Sequence, residues 1–212
     1  IEHVRRDHEM IVADILDEAQ VQRAVEGCDA VYNFSGIADI EEANTHPIDT
    51  VRYNVLGNTI LLEACRQAGV KRFLYASTVY VYSQAGGFYR CSKQAAELYI
   101  EAYQQAHGLP YTMLRYGSLY GPRADQANPV QRYLTQALLT GKVECVGDGE
   151  EIREYIHVED AARDSVEALG PEFENQYVLL TGHQPMTVKA LLEMIGEILD
   201  KKLQITFQGP DE

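Results

Sequence analysis

The apolar positions of this chain fall into short runs separated by amphipathic stretches. The β-rich run "EMIVADI" (residues 9–15) ends on an aspartate and predicts a first strand. Residues 17–27 put Val21, Ala24 and Val25 on one face and stop at Gly27, which predicts a helix. "DAVYNFSG" (29–36) predicts a second strand ending in small residues. Residues 45–69 carry a long helical pattern, with Val51, Val55, Ile60, Leu62 and Cys65 as its apolar positions. Thr45 suits its cap, Pro47 its first turn and Gly69 its end. "RFLYAS" (72–77) barely alternates, as expected of a strand buried on both faces. A helix from Tyr89 to about Gly108 and a strand over 111–117 follow.

Strands alternating with helices predict an α/β fold, a doubly wound parallel sheet covered on both faces. Right-handed crossovers bring the carboxyl ends of such strands to one edge, where these folds bind ligands. Asp14, Ser35, Gly36, Ser77, Thr78, Tyr116 and Gly117 all fall at those ends. From about Pro122 the character changes. A helix over 129–141, the segment "KVECVGDG", the stretch "REYIHVEDAARDSVEAL" and a strand–helix–strand ending predict a smaller α/β lobe. The expected division is 1–121 and 122–212, with some chain returning to the main sheet. No internal repeat or low-complexity segment is visible.

Composition narrows the function. Of 212 residues, 46% are hydrophobic and 24% charged, ordinary for a soluble globular chain. A net charge of -14 argues against nucleic acid or an anionic membrane as partner. No apolar run reaches the roughly 20 residues of a membrane span, and no signal peptide opens the chain. Cys28, Cys65, Cys91 and Cys145 are scattered without a C-x-x-C. They read as free thiols of a reducing, cytoplasmic compartment, and no metal site is expected. Cys91 reads as a small half-buried helix residue.

The candidate chemistry starts at "YRCSK" (89–93). Tyr89 and Lys93 are one helical turn apart. Chance alone supplies roughly 0.4 such pairs in a chain with 14 Tyr and 6 Lys, so the spacing decides nothing by itself. Other segments supply the context: "ADILD", "VYNFSGIAD", "YNVLGNTILLEACRQAGVKRFLYAST", "STVYVY", "LRYGSLYGPR" and "GDGEEIREYIHVEDAA".

Together and in this order, these segments resemble the extended short-chain dehydrogenase/reductase superfamily, in its NAD-dependent nucleotide-sugar epimerase/dehydratase branch. The resemblance covers nearly the whole chain and implies a Rossmann-like sheet. It implies that Asp14 and Ile15 lie at the adenine of a dinucleotide. Phe34, Ser35 and Gly36 would run under its phosphates and ribose, and Asn54, Ser77 and Tyr116 would support the same site. Thr78, Tyr89 and Lys93 would be catalytic, with Lys93 also on the nicotinamide ribose. Thr78, Ser118 and Arg153 would meet the substrate. NAD is the implied cofactor, with NADP open. The partners implied are a nucleotide sugar and a second copy of the chain; the helices at 45–69 and 89–108 could form the contact, as in relatives, but their sequence equally allows packing on the sheet.

The residue types suit that chemistry. A free tyrosine, with a pKa of about 10, is a poor base at neutral pH. A lysine ammonium one turn away and a positive nicotinamide ring would favour the phenolate. Tyr89 would then take a proton from a sugar hydroxyl that Thr78 holds. Simpler readings stand beside these: an exposed Tyr89 with a solvated Lys93, a helix cap at Asp14, a tight turn at Ser35–Gly36. Asn54 could face solvent, and Arg153 could be a surface ion pair among glutamates. His157 reads as a packed strand-end histidine.

The pattern also departs from the family. No G-x-x-G-x-x-G occurs, so about 40 to 50 residues expected ahead of the chain are absent and the Rossmann sheet is expected to be incomplete. The link "SQAGGF" before Tyr89 is shorter than in relatives. Thr78 is followed by Val79 and Tyr80, where the dehydratase branch carries an Asp-Glu pair as acid and base. Ser118 stands where many relatives carry Asn. The expected function is therefore epimerisation by transient oxidation. A sugar or ketone dehydrogenase/reductase is the alternative, and a non-catalytic binding relative is the alternative of another class.

Overall fold

The computed structural model describes residues 8–209. Two compact units are present, one of Ile1–Leu114 with Leu169–Tyr177 and one of Arg115–Ala168 with Val178–Glu212. The first unit runs α1 (Glu18–Val25), β1 (Ala30–Asn33), α2 (Ile40–Thr45), α3 (Pro47–Thr50), a π-helical turn (Val51–Leu56), α4 (Gly57–Ala68) and β2 (Arg72–Thr78). A 3-10 turn (Val79–Tyr82), α5 (Gly87–His107) and β3 (Tyr111–Tyr116) follow.

β1 and β2 are parallel, with Ala30 opposite Arg72 and Asn33 opposite Tyr75, so both strands end at one edge. Asp17 caps α1 by accepting from the Gln20 amide, and Gly69 and Gly108 end α4 and α5 in the left-handed region. The core joins Val21 and Val25 of α1, Leu62 and Cys65 of α4, Phe73 and Tyr75 of β2, Ala96 and Ile100 of α5, and Met113 of β3. Each large apolar side chain buried this way contributes about 1.5–3 kcal/mol. β2 is buried along almost its whole length, which accounts for its lack of alternation.

Two expectations are corrected. Residues 9–15 form no strand, and Met10, Ile11 and Val12 are exposed. A strand needs a neighbour for its backbone groups, and no strand among the described residues pairs with this segment. The helix expected over 45–69 runs unbroken from Pro47 to Ala68 and ends at Gly69, but Thr45 belongs to the preceding α2 instead of capping it, and residues 51–56 widen to a π-helical turn. Asp39 caps the short α2 by accepting from the Glu42 amide at 2.8 Å. Thr45 closes α2, its hydroxyl donating back to the Glu41 carbonyl at 2.9 Å. His46, at φ -123, separates the two helices because a residue before proline is driven out of the α region. The π-helical turn that follows places Asn54 inside, 2% exposed.

The second unit holds β4 (Ser118–Tyr120), α6 (Pro129–Thr140), β5 (Lys142–Val146), β6 (Ile152–His157) and α7 (Val158–Glu167). After the return of Leu169–Tyr177 come β7 (Gln176–Leu180), β8 (Pro185–Thr187), α8 (Val188–Ile198) and β9 (Gln204–Gln208). The sheets are β1-β2-β3-β7, β4-β6-β8 and the parallel pair β5-β9. Val130, Tyr133 and Ala137 of α6 pack with Val143 and Cys145 of β5 and with Leu191, Leu192 and Ile195 of α8. Among the described residues no helix is long and apolar enough to cross a membrane.

Candidate active site

Thr78 ends β2, and Tyr89 and Lys93 lie on the first turns of α5. The sequence makes a sharp entry to that helix. Gly86 and Gly87 both have positive φ, at 92° and 50°. The Asn44 side chain of α2 accepts from the Phe88 amide at 2.8 Å and so caps α5 from 44 positions away. Arg90 donates to the Ser83 carbonyl at 2.7 Å and to Gln84 at 3.1 Å, which holds the short link before the helix.

α5 and β2 are tied side by side. A side-chain hydrogen bond joins Thr78 to the half-buried Tyr89 phenol. The Lys93 ammonium donates to the Ala76 carbonyl at 2.8 Å, 4.8 Å from the Tyr75 ring centroid and 5.8 Å from that of Tyr89. Lys93 is therefore buried and Tyr89 half-buried, and neither is an exposed surface residue. Burial pushes Lys93 down to about 8, and Glu97 pulls against that shift. Burial also pushes Tyr89 up, the Thr78 hydrogen bond opposes this, and Tyr80 adds to it. The expected lowering of Tyr89 by its lysine is thus not a property of the protein alone, because the ammonium is directed at β2 and desolvation dominates.

The residues expected beside a dinucleotide lie along the end of β1. Ser35 donates through its amide and its hydroxyl to Asn33 Oδ1, at 3.0 and 2.5 Å. Asn33 in turn donates to Asn58 at 2.9 Å. Gly36 has φ +119, and a Cβ there would lie 2.4 Å from Asn54 Oδ1. Phe34 is 62% exposed and stacks on Tyr32. Asn54 faces the interior rather than solvent: it accepts from the Ile37 amide at 2.7 Å and donates to the Ile37 carbonyl and to Ser92 Oγ, both at 2.9 Å. Ser77 donates to Glu97 at 2.5 Å. Ile15 packs against Gly57, where a Cβ would come within 3.0 Å of it. The exposed Asp14 accepts from the Leu16 amide at 2.9 Å, and the helix cap beside it is Asp17.

Three candidates lie in the second unit. The Tyr116 hydroxyl meets Ser165 Oγ at 2.6 Å. Ser118 and Arg153 share one sheet, Ser118 standing opposite Tyr155 on the strand that carries Arg153. His157 ends β6, caps α7 by accepting from the Glu159 amide at 3.3 Å, and packs edge-on against Tyr120. All four cysteines are free thiols; Cys91 is exposed rather than half-buried. No metal-binding cluster of His, Cys, Asp or Glu occurs among the described residues.

Sequence reasoning missed Asn33, Asn44, Ser92 and Glu97, which support the candidate residues. Glu97 had a signal, since 89, 93 and 97 repeat at one helical turn. Asn44 had none, because its partner is distant in the chain.

This βαβ unit, with a Tyr-x-x-x-Lys pair on a helix tied to a threonine-ended strand, is of the short-chain dehydrogenase/reductase type. A sequence profile of the NAD dependent epimerase/dehydratase family matches residues 2–176, and the chain belongs to that family. An uncharacterized UDP-glucose epimerase of Bacillus subtilis is 25% identical over 89% of this chain and 64% of its own length. A dTDP-glucose 4,6-dehydratase of Streptomyces antibioticus is 31% identical over 69% of this chain and 48% of its own. The chain thus spans about half to two thirds of these curated relatives. Among solved structures, the Thermus thermophilus UDP-glucose 4-epimerase in complex with NAD superposes with a TM-score of 0.88 at 27% identity, over 99% of this chain and 75% of that one. The Thermotoga maritima UDP-glucose 4-epimerase with UDP-glucose gives 0.90 at 26%, over 100% and 75%.

Proposed function

We propose that the protein is an NAD-dependent epimerase of nucleotide sugars. One observation carries the reading: Thr78, Tyr89 and Lys93 are tied together at the end of β2, while the two positions after Thr78 hold Val79 and Tyr80. Tyr89 takes the proton of a sugar hydroxyl that Thr78 holds, and returns it when the keto sugar is reduced from its other face. The dehydratase branch eliminates water with a carboxylate acid and base after the threonine, and neither Val79 nor Tyr80 is a carboxylate.

The chain's donor set fits a dinucleotide. The missing Cβ of Gly36 leaves room for the Asn54 side chain that holds the loop after β1, and the exposed Asp14 carboxylate suits an amine or hydroxyl donor. Asp14 and Ile15 would hold the adenine end and Phe34, Ser35 and Gly36 the middle. Lys93 would hold the nicotinamide ribose, and Asn54, Ser77 and Tyr116 would support the same cofactor. When bound, NAD supplies reversible two-electron oxidation. NAD is the cofactor of this reading, supported by the NAD complex of the Thermus thermophilus epimerase. Arg153, a planar and always-charged fork, would take the substrate diphosphate, with Ser118 on the neighbouring strand. The exposed Ile48, Val51, Leu98 and Tyr99 of α3, the π-helical turn and α5 suit a homodimer contact.

The test is incubation of the full-length protein with UDP-glucose and NAD. Formation of the C4 epimer without net NADH is expected. Net NADH would replace this reading by a dehydrogenase, and a 4-keto-6-deoxy sugar would replace it by a dehydratase.

A further inference from the structure

α5 meets the end of β2 at three successive residues. Thr78 bonds Tyr89, the Ala76 carbonyl receives Lys93 at 2.8 Å, and Ser77 donates to the Glu97 carboxylate at 2.5 Å. Positions 89, 93 and 97 line one helical face. The first two contacts belong to the proposed catalytic set. The third does not, and Glu97 is only 5% exposed. Glutamate is rarely so buried, because a carboxylate is costly out of water unless it is paired and hydrogen-bonded.

A neutral glutamine would keep the shape and the Ser77 hydrogen bond. Only the charge attracts an ammonium one turn back. Lys93 needs that attraction: it is 6% exposed, and its hydrogen bond goes to a neutral carbonyl. The titratable groups facing Lys93 are Tyr75 on β2 and Tyr89 and Glu97 on α5. Burial raises both phenols, so they stay neutral while Lys93 titrates, and Glu97 is the charge left to act.

We propose that Glu97 is a positioning residue of this site: its carboxylate, anchored on Ser77, holds the buried Lys93 side chain in its charged form and the α5 face in register with β2. What Lys93 does in turnover rests on the epimerase reading; the coupling between Glu97 and Lys93 does not.

The experiment is titration of the lysine amino groups by NMR in the full-length protein, without nucleotide or sugar. The chain has only 6 lysines, and loss of a signal in Lys93→Arg assigns Lys93. Its midpoint is expected near the value of about 8 given above, falling by about one pH unit in Glu97→Gln. The alkaline limb of the pH–rate profile is expected to move the same way. An unmoved midpoint in folded Glu97→Gln overturns the proposal. Should that variant not fold, Ser77→Ala keeps the charge and removes its anchor. A several-fold loss of kcat at unchanged KM, with a smaller downward shift of Lys93, is then expected; both quantities unchanged overturn the proposal. A shifted Lys93 in a protein that epimerises nothing supports the coupling and sinks only the functional reading.

Discussion

Asn54 Nδ2 donates to Ser92 Oγ at 2.9 Å, and Ser92 stands between Tyr89 and Lys93 on α5. The same amide holds the Ile37 N–H and C=O, and Ser92 donates on to the Tyr89 carbonyl at 2.8 Å. One buried side chain in a π-helical turn thus joins the loop after β1 to the helix that carries the candidate base.

Asn54→Leu leaves the Ile37 amide and carbonyl without their partner. A loss of about 2–4 kcal/mol is expected, read as a lower urea midpoint at unchanged m-value. Gly36→Ala is expected to cost a similar amount, because it forces a Cβ against Asn54 at a φ of +119.

Tyr89→Phe removes the phenol and keeps the ring. Epimerisation is expected to fall by about 10²–10⁴ in kcat. The unfolding free energy changes by only about 1 kcal/mol, the worth of one hydrogen bond. A variant with unaltered kcat would end the case for Tyr89 as base.

Lys93 carries a pH signature in stability. Its pKa falls from 10.5 in the unfolded chain to about 8 in the folded protein. Below pH 8 the ammonium is charged in both states and its burial counts fully against folding. Between pH 8 and 10.5 the unfolded chain binds more protons, so stability rises with pH. Relative to Lys93→Met, the unmutated protein is expected to gain up to about 3 kcal/mol across that window. Paired urea titrations at the two ends measure it, and a parallel pair of curves would contradict the shift.

Asn44→Ala removes the cap that reaches the Phe88 amide from α2. The first turn of α5 is expected to fray, at a cost of about 1 kcal/mol. Faster hydrogen exchange at Phe88 and Tyr89, with the helix end near Gly108 unchanged, is the readout.

With a nucleoside-diphosphate hexose as substrate, no product lighter by one water is expected, since Val79 and Tyr80 follow Thr78. Mass spectrometry of the product decides this.

Much of this protein was legible in one dimension. The run at 72–77 barely alternates, as expected of a strand buried on both faces, and β2 is one. Glycines at 69 and 108 ended helices because only glycine enters the left-handed region without penalty. The order of motifs around Thr78, Tyr89 and Lys93 defined the family, since local spacing and chain order survive without coordinates. What tertiary structure decided was everything that depends on a distant partner. Residues 9–15 have strand composition but pair with no described strand. The helical pattern from Thr45 hid a break at His46 and a π-helical turn, because apolar periodicity does not record a one-residue change of winding. The state of Tyr89 turned on desolvation, a quantity set by what packs around it and not by the lysine four residues on. Glu97 and Asn44 gained their roles only where β2 and α2 came against α5.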